Sequence, residues 1–182
     1  MKSSMLSLSW EIEKNLAAAK IPDNIDIRDE AFGIDPGINY GIAQVYRKFI
    51  YVAWGRLDVR TMKKPNHYME AAEAAHRLME TIPYVEGNDL HPVALEGAAF
   101  RSKFGEANLA YVRAGFYLGL RSRGYFPELV PPMSDRLRVI GSGKAKGEEL
   151  WPLLNANGAD AAVLALYAAG FSFSSNFSKV AI

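Results

Sequence analysis

With 182 residues, 49% of them hydrophobic and 23% charged, the chain has the length and balance of one folded domain that buries a core without help from metals or disulfides. Lysine and arginine total 21 against 20 aspartate and glutamate, so the net charge of +1 gives no bulk attraction to nucleic acid, and any such contact needs a local patch. Cysteine is absent, which excludes disulfides, thiolate nucleophiles and cysteine-based zinc sites and leaves oxygen or histidine ligands for chemistry.

No stretch approaches the ~20 apolar residues of a membrane span. The N-terminus is too polar for a secretory core. A soluble, cytoplasmic protein with no membrane partner is the expectation. Leu6, Trp10, Ile12, Leu16 and Ala17 fall at roughly helical spacing. They predict a helical extension within residues 1–30, outside the main fold, before a polar segment containing Pro22.

From Ala31 the pattern changes to short apolar runs, Phe32–Asp35, Tyr40–Tyr46 and Phe49–Val59, parted by turn-forming residues. These predict three strands in a meander. Met69, Ala72, His76, Met79 and Ile82 then recur every three or four positions, the mark of an amphipathic helix over Asn66–Ile82. A strand over Pro92–Glu96 follows, then a helix whose Leu109, Val112, Phe116 and Leu120 share a face. Phe126–Val130 reads as a further strand, stopped by Pro131 and Pro132. A loop with Gly141, Ser142 and Gly143 comes next, then helical stretches near Gly147–Leu154 and Gly158–Gly170 and a tail over 171–182. The whole predicts an α/β domain over 31–170, a mixed five-stranded sheet covered by helices with its first strand central.

Apolar strands rarely end in a carboxylate, because an ionised acid at the edge of a core is costly unless paired or bound to a cation. This chain does so in "FGIDPG", at Asp35, and in "VALEG", at Glu96. If those strands are parallel neighbours, both acids emerge at one edge of the sheet. Asp160, in the first turn of the last predicted helix, is the third candidate. Carboxylates in this number suit hard cations such as Mg2+, which in pairs clamp the attacking and leaving oxygens of a phosphodiester. Each acid also has a plainer reading. Asp35-Pro36-Gly37 is an ordinary turn signal, and Asp160 complements a helix dipole if Asn157 is the N-cap.

Together the segments resemble the RuvC-type Holliday junction resolvases. "GIDPGINYGIA" is similar to that family's first-strand motif, and "VALEGAAF" to the strand bearing its second acid. "RLRVIGSGKAKGEEL" is similar to its basic segment, and "NGADAAVLALYAAG" to its final helix. The resemblance implies an RNase H-like fold and a homodimer that nicks four-way DNA junctions using Mg2+, with Mn2+ as a substitute. It also implies Asp35, Glu96 and Asp160 as catalytic, metal-holding acids. Where the family has Asp or His three residues before the last acid, this chain has Asn157, which offers a neutral oxygen and no base. A relative that binds branched nucleic acid with little or no cutting is therefore the alternative expectation. Phe100 answers to the family's wedging aromatic, with Arg101 and Lys103 beside it, while core packing is its plainer role. Arg136, Arg138, Lys144 and Lys146 form a basic run suited to phosphates near the acids, or simply a solvated loop.

"GSGK" at Gly141–Lys144 lacks the first glycine and the Ser or Thr of a phosphate-binding loop. His67, His76 and His91 have no metal-ligand spacing. Gly115 and Gly119, one turn apart, permit close approach of another helix, either within the domain or across a dimer.

Overall fold

The computed structural model describes residues 16–21, 26–28, 30–60, 66–82, 91–97, 106–149, 151–152 and 154–172. Strands β1 (Leu16–Lys20), β2 (Glu30–Asp35), β3 (Asn39–Tyr46) and β4 (Phe49–Arg56) precede helix α1 (Asn66–Glu80). Strand β5 (Val93–Glu96), helix α2 (Glu106–Ser122), strand β6 (Glu128–Val130) and helices α3 (Pro132–Ile140) and α4 (Ala156–Ala168) complete the order. A single 3-10 turn, Gly147–Glu149, lies between the last two helices.

All six strands form one sheet in the order β1-β4-β3-β2-β5-β6. β2, β3 and β4 make the expected antiparallel meander, whereas β5 and β6 run parallel to β2. The meander and the added parallel strands, covered by helices on both faces, make the mixed α/β fold that the sequence predicts. β2 is central, between β3 and β5, as the pattern implied.

Alternation along the strands divides the core. Phe32, Ile34, Tyr40 and Ile42 face α1 and α2, packing with Ala71, Ala75, Met79, Val112, Phe116 and Leu120. Ala31, Ala43, Val45 and Val52 face the other way, onto Val139, Trp151 and the alanine-rich α4. Because both faces are covered, the central strands read as continuous apolar runs.

The last helix lies unusually close to the sheet. A Cβ at Gly33 would collide with the backbone of Ala161 and Ala165, and one at Gly41 with the backbone carbonyl of Asn157. Gly115 and Gly119 do the same for α2 against α1, meeting Ala72 and His76, so that glycine pair serves packing inside the domain.

Four expectations need correction. Leu16–Lys20 is a strand, not the end of a helix; it pairs antiparallel with β4 from Leu16↔Ala53 to Lys20↔Phe49 and gives the sheet a sixth member. The ladder hydrogen bonds available on the free side of β4 override local helix propensity there. The rest of the predicted extension, 1–15, and the tail from 173 lie outside the described residues. In α1 the buried stripe is Ala71, Ala75 and Met79, with Met69 53% exposed, so the predicted face is rotated. Pro132–Ile140, expected as loop, is helix α3, with proline where a missing N–H is harmless and Gly141 closing it at φ 82°. In α2, Leu109 is exposed while Val112, Phe116 and Leu120 are buried.

Candidate active site

The parallel register Ile34↔Leu95 brings Asp35 and Glu96 out side by side at one edge of the sheet. Their carboxyl groups hydrogen-bond each other. Burial raises the Asp35 pKa well above the ordinary aspartate value, and the charge and hydrogen bond of Glu96 and the charge of Asp160 raise it further against the opposing pull of Arg136. Burial also raises Glu96, but the hydrogen bond from Asp35 and the charge of Arg136 pull it back. Burial and mutual repulsion therefore oppose full ionisation of the pair.

Asp160 arrives from the other layer. The close seating of α4 on Gly33 and Gly41 brings its N-terminal half over the ends of β2 and β3. Asn155, rather than Asn157, caps that helix, its side chain accepting from the Gly158 N–H at 2.8 Å. Asn157 stands one turn before Asp160, half-buried, its backbone packed on Gly41. Gly147 fits where a Cβ would strike Ala159 and Asp160, and its N–H donates to Asp160 Oδ1 at 3.2 Å.

Arg136 links Asp160 to Glu96. Its Nη2 donates to Asp160 Oδ2 at 3.0 Å and lies 3.9 Å from Glu96 Oε1. Arg113 of α2 braces the end of β5 by donating from Nε to the Glu96 backbone carbonyl at 2.9 Å. Sequence reasoning gave no role to Arg113, or to Asp135, which is 2% exposed and has a pKa pushed up to about 7, first by burial. Arg113 sits beside the buried Val112, a position whose inward reach only the packing of α2 decides.

The remaining basic residues separate. Arg138 turns from the acids and stacks over the Tyr167 ring, 4.9 Å from its centroid, beside a cleft of 230 Å3 at the starting ends of β5 and β6. Lys144 and Lys146 are exposed on the loop leading to Gly147. Phe100, Arg101 and Lys103 lie outside the described residues.

Among the described residues, no three His, Cys, Asp or Glu side chains are gathered closely enough to hold an ion as they stand. The Arg136 guanidinium, 3.0 Å from Asp160 and 3.9 Å from Glu96, offsets part of their charge. The donor set is nonetheless all carboxylate oxygen, the chemistry of Mg2+ or Mn2+, and the neighbouring charges of Glu96 and Asp160 add to burial in raising the Asp35 pKa.

No family model and no curated protein sequence matches the chain. Among solved structures it is similar to Thermus thermophilus RuvC, at 17% identity and a TM-score of 0.47 over 75% of this chain and 91% of that one. A structure of T. thermophilus RuvC in complex with a Holliday junction substrate gives 16% identity and a TM-score of 0.49 over 75% and 90%. Among the described residues no helix is long and apolar enough to cross a membrane.

Proposed function

We propose that this chain is a metal-dependent, structure-selective DNA endonuclease that hydrolyses phosphodiesters in four-way junctions and works as a homodimer. The observation that carries the reading is the convergence of Asp35, Glu96 and Asp160, from two strands and a helix, around one guanidinium. The motif resemblance in the same segments supports the choice of substrate.

In this reading Asp35, Glu96 and Asp160 hold Mg2+ or Mn2+. Divalent cations there would neutralise phosphate charge and activate water as the nucleophile. To act as ligands, Asp35 and Glu96 must both be ionised, against the burial that raises both pKa values. Arg136, freed from Asp160, is then positioned to bind a phosphate oxygen, and the exposed Lys144 and Lys146 flank the path of the DNA backbone. Arg113 and Gly147 keep Glu96 and Asp160 in place.

A labelled four-way junction should be nicked in the presence of Mg2+ and untouched without it, while linear duplex survives both. Asp35→Asn should slow cutting by about two to three orders of magnitude, the scale of losing one preorganised charged group, while junction binding persists. Cutting by that variant at the unsubstituted rate defeats the proposal. A second reading, a branched-DNA binder without nuclease activity, draws on Asn157 and on the ability of Arg136 to satisfy Glu96 and Asp160 without an ion. Nicking gained by Asn157→Asp with Mn2+, where the original chain has none, favours that reading.

A further inference from the structure

Two acids of the site already have a partner of opposite charge. Arg136 Nη2 donates to Asp160 Oδ2 at 3.0 Å and lies 3.9 Å from Glu96 Oε1. One guanidinium thus stands against acids brought by a helix and by a strand, in the place that an ion shared by those two would need. Among the described residues no three acid or histidine side chains are gathered closely enough to hold an ion, so a divalent cation does not fit the cluster in this arrangement. Guanidinium and cation exclude each other there, because at a few ångströms they repel and they call on the same oxygens.

The hold of Arg136 on the acids is incomplete. Its Nε–H is buried with no acceptor among the described residues, so this pose leaves a donor both dehydrated and unmatched. The side chains of Arg136, Glu96 and Asp160 are 21%, 21% and 22% exposed, which leaves the cluster open to solvent on one side. An ion can approach from there, and the guanidinium can leave.

We propose that Arg136 is an internal counter-ion that competes with divalent cations for Glu96 and Asp160, keeping the site closed to them until the guanidinium moves aside. The inference rests on the cation-dependent reading of the site and concerns its regulation. It joins two observations that otherwise disagree, a set of acids suited to hard cations and an arrangement with no place for one.

Calorimetric titration of the full chain with Mn2+, free of nucleic acid, tests this. Arg136→Gln removes the competing charge and should strengthen Mn2+ binding by about tenfold or more, the opposite sign to the loss of a supporting contact. Arg138→Gln makes the same change of charge two positions along, on a side chain turned from the acids, and should leave the affinity within about twofold. Equal affinity in the unsubstituted chain and a folded Arg136→Gln protein overturns the proposal, and so does an equal gain in both variants. Should Arg136→Gln not fold, the unsubstituted chain decides. Saturating Mg2+ should free the Arg136 guanidinium to rotate, merging 15Nη resonances that are distinct without it, and resonances that stay distinct overturn the proposal equally. Failure of the underlying reading looks different, since neither the unsubstituted chain nor Arg136→Gln would then take up Mn2+.

Discussion

Asp35 and Glu96 were readable as candidates because each terminates an apolar strand, where a carboxylate has little structural excuse. Asp160 was readable only through its motif, since an acid near a helix start is common. Asp135 was not readable, because its burial depends on which face of α3 meets α4, and that face is apolar at Val139 but acidic at Asp135. The same acid has a consequence for stability. Folding raises its pKa from 3.8 to about 7, so between those values the folded chain holds a proton that the unfolded chain has released. Stability is then greatest below the unfolded value and falls as pH climbs towards 7, and the raised pKa of Asp35 acts in the same direction. Thermal melts in chelator should drop by several degrees between about pH 5 and pH 8. Asp135→Asn, which cannot ionise, should flatten that decline, and a melting temperature indifferent to pH in the unsubstituted chain would contradict the assignment.

The elements whose apolar faces meet a partner were the legible ones. The meander, α1 and the strand ending at Glu96 followed from periodicity, because burial on one or both faces writes itself into the spacing of apolar residues. Helix α3 did not, since Met133 and Leu137 are exposed at 64% and 60% while Asp135 is buried, the reverse of an amphipathic pattern. Strand β1 was hidden because an alanine-rich run favours helix locally and becomes extended only when the free side of β4 is offered to it. The seating of α4 on β2 was equally invisible, although the glycine that permits it stands in plain view in "FGIDPG". Gly33→Ala should force that helix off the strand. A loss of about 2–3 kcal/mol in urea-induced unfolding, near the upper end for overpacked cores, is the expected result. Retention of full stability would mean that the two layers are less tightly joined than described.

Across the whole molecule, the net charge of +1 means that the DNA binding proposed above rests on a small number of cations around one edge of the sheet. Each lysine that neutralises a phosphate adds about 0.9 to the slope of log affinity against log salt. Replacing Lys144 and Lys146 together with alanine should therefore lower the slope for junction binding by roughly two, weakening junction and duplex alike. An unaltered slope would take both lysines out of the interface. The order in which the acids occur along the chain adds a constraint in time. Asp35 and Glu96 are synthesised well before Asp160, which belongs to the last described helix and reaches its place only when that helix docks on Gly33 and Gly41. A chain emerging from the ribosome thus carries an unfinished cluster until α4 has been made and packed. On the proposed reading, hydrolysis waits for that docking, and a partly made copy holds Asp35 and Glu96 without their third acid.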